Sequence, residues 1–465
     1  MKSRTESDSM GEVKIPAEML YGASTQRAVV NFPFSGRRFT RPFIQALGLI
    51  KWAAALTNQE LGTLDPKLAK AIADCAAEVA RGKHDQHFPI DIFQTGSGTS
   101  TNMNANEVIA NLANLKLGGK IGSKKPVHPN DHVNRGQSSN DVIPTAIHVA
   151  AALEIQNRLI PGLKILEQAL NKKAGEFKNI IKIGRTHLMD ATPITLGQEF
   201  GGYAEQISKA QLRCHQALVG LAELAIGGTA VGTGLNTHPA FAKKVCAYLS
   251  RETKIEFREA KNHFEAQSAK DACLFASGSL KTIAVSLMKI ANDLRWMGSG
   301  PRCGFGEIEL PSLQPGSSIM PGKINPVIPE AITQIAAQVI GNDAAVTIGV
   351  QSGNFELNVM MPLIASNLLE SIELLANGAK VFVQKCIQGI KANKGHCEEI
   401  VEQSLAMVTA LAPVIGYDQA ARAAKEAHRT GQTIREVVKS KKLLDEKKLD
   451  KLLNPRNMLG PRTRD

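Results

Sequence analysis

Residues able to move protons or hold anions crowd into four short stretches: Gln94–Asn106, His128–Asp141, Gly184–Pro193 and Pro311–Pro326. The last is the most informative. In Pro315-Gly-Ser-Ser-Ile-Met-Pro-Gly-Lys-Ile-Asn-Pro, Ser317 and Ser318 lie between Pro315-Gly316 and Pro321-Gly322, and Lys323, Ile324 and Asn325 follow at once. Segments bounded in this way suit loops that close over a substrate; Pro, Gly and Ser also build plain surface turns. A serine acts as base or nucleophile only where its alkoxide is stabilised, and a lysine or backbone N–H groups do that. No Gly-x-Ser-x-Gly elbow is present, so α/β-hydrolase chemistry has no support.

Gln94-Thr-Gly-Ser-Gly-Thr-Ser-Thr-Asn-Met-Asn gathers Ser97 and Thr99 around Gly96 and Gly98 and then runs into a helical pattern. A Gly-rich turn at a helix start offers free N–H groups and a positive dipole end, which suits an anion. An ordinary capped helix start looks the same. Neither a P-loop nor a dinucleotide fingerprint is present. His128-Pro129-Asn130-Asp131-His132 and Gln137-Ser138-Ser139-Asn140-Asp141 supply more neutral donors, without an accepted metal-ligand spacing. In Gly184-Arg-Thr-His, Thr186 precedes His187; a lone histidine is more often structural than catalytic, so its role depends on partners.

Such loops need a rigid support, and the periodicity predicts helices. Ala276, Leu280, Ile283, Leu287, Ile290, Leu294 and Met297 recur at alternating spacings of four and three, an a/d seam of a helix packed along another helix. Further long helices are expected at about 143–175, 193–225, 330–350 and 355–390, and a hairpin near Tyr21–Phe39. The fold class is mainly α, in three regions: an N-terminal helical domain over 1–137, a central long-helix bundle carrying the loops over 138–390, and a small helical domain over 391–465. Helices of 25–30 residues run about 40 Å, long enough for a bundle shared between subunits.

Composition narrows the field. Of 465 residues, 43% are hydrophobic, which excludes wholesale disorder. No stretch approaches 18–20 uninterrupted apolar residues, so no membrane partner is expected. Met1–Glu12 mixes Lys2 and Arg4 with Glu6, Asp8 and Glu12 around no apolar core, unlike a secretory or transit leader, and this points to the cytoplasm. Seven scattered cysteines contain no C-x-x-C pair, so zinc ribbons and disulfide frameworks have no support. The net charge of +12 raises a nucleic-acid partner. However, the clearest basic run, from Lys439, is broken by Asp445 and Glu446, and 5% aromatics leave little for base stacking. Attraction for small anions fits better.

Taken together, these stretches resemble a known family. Gly316-Ser-Ser-Ile-Met-Pro-Gly-Lys-Ile-Asn resembles the signature of the fumarase/aspartase superfamily. Gln94-Thr-Gly-Ser-Gly-Thr, Gln137-Ser-Ser-Asn-Asp, Gly184-Arg-Thr-His and Gly227-Gly-Thr-Ala-Val-Gly-Thr-Gly look like class II fumarases in particular, and Ser352-Gly-Asn-Phe-Glu-Leu-Asn-Val extends the likeness. The resemblance implies a homotetramer with active sites shared between subunits, and reversible hydration of fumarate to (S)-malate without metal or redox cofactor. It implies Ser317 as the base at C3, and His187, paired with Glu330, as the group serving the leaving hydroxyl. Ser97, Gly98, Thr99, Ser138, Ser139, Asn140, Thr186, Ser318, Lys323, Ile324 and Asn325 would bind the carboxylates. His128, Pro129, Asn130 and Asp131 match a secondary carboxylate site. Asn325-Pro-Val-Ile-Pro-Glu is closer to aspartases, which makes aspartate ammonia-lyase the rival activity; Ser138-Ser139 and His187 are the fumarase forms. A non-catalytic descendant, as among lens crystallins, is the rival of a different class.

Overall fold

The computed structural model describes residues 2–461. A hairpin opens it, β1 (Ser3–Asp8) with β2 (Gly11–Pro16). There follow α1 (Ala23–Asn31), α2 (Arg41–Glu60), α3 (Pro66–Ala80), α4 (Thr99–Lys116), α5 (Ser139–Glu154) and α6 (Ile160–Glu176). A second hairpin, β3 (Ile181–Thr186) with β4 (Met189–Thr195), leads into α7 (Leu196–Leu221). After α8 (Phe241–Thr253) and α9 (His263–Ser268) come three more long helices: α10 (Asp271–Met297), α11 (Val327–Gln351) and α12 (Met361–Lys385). Short helices between Lys394 and Leu452 complete a mainly helical fold.

Two compact units form. One comprises the segment up to Pro161 with Gln211–Ala284 and Ala336–Ala376; the other comprises Gly162–Ala210, Val285–Ile335 and the segment from Asn377 onward. In the first, α2 lies so close to α3 that a Cβ on Gly48 would stand 2.6 Å from the Ala80 nitrogen. In the second, Val401, Leu411, Val437 and Leu449 close a small C-terminal core that also takes in Ile183 of β3.

The α10 seam is buried throughout, from Ala276 at 0% exposure to Met297 at 5%, so its packing partners are in the same chain. The opposite side of this helix keeps Phe275, Val285 and Trp296 exposed. By length and composition α10 is the one helix among the described residues that passes for a membrane span, and half of its apolar window is buried inside the chain.

The hairpin expected near Tyr21–Phe39 is not there: α1 occupies Ala23–Asn31. The reason is a distant cap. Glu107 of α4 accepts from the backbone N–H groups of Gly22, Ser24 and Thr25 at 2.9–3.1 Å, satisfying donors that the local sequence leaves open. The hairpin lies instead at Ser3–Pro16, where hydrophobic alternation is weak. Arg4 substitutes for it, pairing with Glu6 at 2.8 Å and donating to the carbonyls of Pro16, Met19 and Tyr21.

Candidate active site

The first compact unit holds a polar cradle at the start of two helices. Gly98, at φ +69°, turns the chain into α4, and the N–H groups of Thr99 and Ser100 have no acceptor among the described residues. Ser97 and Thr99 share a hydrogen bond of 2.8 Å between their hydroxyls. Ser138 caps α5, its hydroxyl accepting from the Asn140 N–H at 3.2 Å while its own N–H donates to Asp141 at 2.9 Å. Asn102 of α4 donates to the Ser139 hydroxyl at 3.1 Å and so ties the two helix starts together. Asn140 donates to the Ala230 carbonyl at 2.8 Å, and Asp141 accepts from the Gly227 and Thr229 N–H groups at 2.9 Å each. The Gly227 loop is thereby fastened to the same place.

Gly96 explains how tightly the Ser352–Val359 stretch seats here. The Met361 N–H donates to the Gly96 carbonyl at 3.1 Å, and a Cβ on Gly96 would stand 1.8 Å from the Val359 oxygen. Gly96→Ala should cost about 1–3 kcal/mol or more, the range for forcing extra atoms into a packed site. Thermal unfolding checks this against Gly175→Ala in α6, where nothing lies within 4 Å and stability should hold or rise. Equal stability in the two variants would refute the packing argument.

His128 begins a five-residue π-helical turn, Pro129–Val133, and its Nδ1 accepts from the Asn130 and Asp131 N–H groups at 3.2 Å each. Asp131 approaches the same nitrogen at 3.3 Å. These four residues form one local structure in the first unit, and no hydrogen bond joins them to Ser97–Thr99 or Ser138–Asn140.

In the second unit, Thr186 ends β3, and His187 and Leu188 form the two-residue turn into β4. Both have positive φ, +57° and +62°. That pattern suits the twist of a tight hairpin, but Asn and Gly normally supply it; for a leucine it is strained. The root is firmly held: fully buried Glu307 takes Arg185 at 2.7 Å and Lys182 at 3.5 Å. Thr186 to Asp190 are nevertheless exposed. Backbone strain at an exposed tip, on a fixed root, is the kind of outlier that collects at functional positions.

Ser317 sits in a loop whose ends are tied. The Gly316 N–H donates to the Lys323 carbonyl at 2.8 Å, Asn325 donates to the Gly316 carbonyl at 2.6 Å, and Lys323 Nζ donates to Asn325 Oδ1 at 2.6 Å. The Ser317 hydroxyl oxygen accepts from two backbone N–H groups, Ile319 at 3.2 Å and Met320 at 2.9 Å. Donors aimed at a hydroxyl oxygen favour its deprotonated form, which is what a serine base requires. Ser318 and Ile324 are exposed beside it, and Glu330 lies in the first turn of α11.

The sites expected from sequence thus form two groups. Ser97–Thr99, Ser138–Asn140 and His128–Asp131 belong to the first unit; Thr186, His187, Ser317, Ser318, Lys323–Asn325 and Glu330 belong to the second. Within the second, no hydrogen bond or ion pair joins His187 to Ser317, Lys323 or Glu330. His187 borders a cavity of about 420 Å³ with Lys182, Arg185 and Trp296, whereas Lys323, Ile324 and Asn325 border another of about 380 Å³. Among the described residues no group of three or more His, Cys, Asp or Glu side chains is arranged to hold a metal ion.

Beneath the cradle lies a residue that sequence reasoning passed over. Lys51 of α2 is fully buried and donates to Asn134 at 2.9 Å and Gln137 at 3.0 Å. Burial pulls the Lys51 ammonium down and pushes the Asp141 carboxyl up, while the attraction between their opposite charges opposes both shifts. The signal was a single lysine inside the apolar run Leu47–Ala55, where a side chain that cannot reach water needs buried partners.

Two family models match the chain. One described as lyase matches residues 11–341, and one described as fumarase C C-terminus matches 407–460. The class II fumarate hydratase of Methylorubrum extorquens is 52% identical over 461 residues, covering 99% of this chain and 98% of its own. Fumarate hydratase class II 2 of Pseudomonas aeruginosa is 54% identical over 456 residues, covering 98% of each. The crystal structure of recombinant class II fumarase from Schistosoma mansoni matches with a TM-score of 0.97 at 40% identity, over 99% of this chain and 100% of that one.

Proposed function

The chain belongs to the class II fumarate hydratases, and on that premise we propose how its residues divide the reaction. It is a hydro-lyase acting on a small dicarboxylate, interconverting fumarate and (S)-malate. In the malate direction Ser317, as alkoxide, takes the C3 proton: the C–H bond breaks, a serine O–H bond forms, and the electron pair passes into the neighbouring carboxylate. The resulting aci-carboxylate carries two charges on one group and is reachable only among dense donors. Lys323, Asn325 and the N–H-rich starts of α4 and α5 supply them. The pair then returns to form the double bond and expels the C2 hydroxyl, which leaves as water with a proton from His187. The observation that carries this reading is the pair of N–H groups on the Ser317 oxygen.

We infer further that four chains assemble and share their sites. The lack of any hydrogen bond between His187 and the Ser317 loop within one chain, and the different cavities that His187 and Lys323–Asn325 border, support this. So do the large apolar residues left exposed on long helices: Leu212 and Val219 on α7, Phe275 and Val285 on α10, Ile348 on α11. Helical surfaces of that kind need cover.

Ultraviolet absorbance of fumarate formed from malate or from aspartate tests the activity. Malate should give a far higher kcat/KM, because His187 serves a hydroxyl leaving group; faster release from aspartate would overturn the assignment. EDTA should leave the rate unchanged, and loss restored by added metal would show that a metal takes part.

A further inference from the structure

We propose that Lys51 is a positioning residue for the carboxylate cradle: its ammonium, acting through Asn134 and Asn102, commits the Ser139 hydroxyl to donate outward. The inference rests on Ser139 touching substrate.

An ammonium has three donors and no acceptor. Lys51, enclosed at 0% exposure in the middle of α2, therefore requires oxygens, and it finds Asn134 Oδ1 at 2.9 Å and Gln137 Oε1 at 3.0 Å. This fixes which way both amides point. Their nitrogens donate away, Asn134 to the Gln137 carbonyl at 3.1 Å and Gln137 to the carbonyls of Val133 at 3.1 Å and Arg135 at 3.2 Å.

The constraint passes on. With Asn134 Oδ1 held towards Lys51, Asn102 can meet it only with its nitrogen, at 3.2 Å, and the same nitrogen reaches Ser139 Oγ at 3.1 Å. Asn102 Oδ1 is left buried without a hydrogen-bond partner. An unpaired buried oxygen is costly, so Asn102 is not in this orientation for its own sake. Were the amide reversed, its oxygen would face Ser139 and accept the hydroxyl proton. As built, Ser139 receives a hydrogen bond, no acceptor among the described residues takes its proton, and the O–H remains to donate at the α5 start. Asp141, fully buried and bonded to the Ser138, Gly227 and Thr229 N–H groups, balances the lysine charge. Lys51 thus acts by orientation rather than by attracting the substrate itself.

A double-mutant cycle on the assembled enzyme tests this. Lys51→Met keeps the volume and removes the donors; Ser139→Ala removes the hydroxyl. Each alone should raise the KM for fumarate and the Kd for succinate, a dicarboxylate that cannot react, by about tenfold to a hundredfold, the range for one hydrogen bond to a charged group. The pair together should be no worse than the worse single variant. Losses that multiply in the double variant, or a Lys51→Met enzyme with unchanged Kd, would overturn the inference. If Lys51→Met does not assemble, Asn102→Ala breaks the same relay, and its cycle with Ser139→Ala decides on the same criterion. An unchanged Kd in Ser139→Ala alone would instead remove Ser139 from the site, and this inference with it.

Discussion

Ser317→Ala lowers kcat by about three orders of magnitude or more, while fumarate still binds with nearly unchanged affinity. Proton transfer by a positioned group contributes about 10²–10⁴-fold, and here the proton is on carbon, where water is a poor replacement. The hydroxyl oxygen has been prepared for the task by two N–H donors at 3.2 and 2.9 Å. Binding survives because Lys323 and Asn325 bond to each other and to the loop backbone, not to the serine side chain. His187→Asn should lower kcat less, since water can partly protonate a leaving hydroxyl. Single-turnover rates with a separate succinate Kd check both. Turnover near the parent level in Ser317→Ala would take serine out of the mechanism and leave His187 as the base.

The helical frame was legible because its signals are local and periodic. Seven apolar residues at spacings of four and three described α10, and all seven are buried. What they did not disclose is that the seam is covered by the same chain, while Phe275, Val285 and Trp296 on the other side are left exposed. Periodicity identifies an apolar stripe without saying whose helix fills it. The first hairpin was missed because Arg4, through an ion pair and four backbone carbonyls, stands in for hydrophobic alternation. The hairpin expected near Tyr21–Phe39 yielded to α1 because the helix's cap, Glu107, is about eighty residues away.

In the site, loops were legible and their support was not. Ser317 and Lys323 stand in a motif dense enough to be noticed, but the turn at His187-Leu188 has two positive φ angles at residues that rarely take them. Nothing local marks such a turn, since its geometry is imposed by the held root at Lys182, Arg185 and Glu307. Lys51 was overlooked for a related reason. A lysine in a helix is usually a solvated one, and only three-dimensional packing shows that this one has none of its surface in water.

Two inactive chains should restore activity when mixed. His187 stands on an exposed hairpin tip, Ser317 lies in another loop of the same unit, and no bond links them within a chain. If each site draws its histidine and its serine from different subunits, chains carrying Ser317→Ala and chains carrying His187→Asn complement each other. With equal expression and random assembly, each requirement is met with a chance of one half, so about a quarter of the sites in a closed symmetric tetramer receive both intact groups. Co-expressed protein should then reach roughly a quarter of the parent kcat per site, well above the sum of the two variants purified alone. Mass measurement of intact assemblies establishes that hybrids have formed. If hybrids are present and no activity returns, the serine and the histidine of one site must come from a single chain.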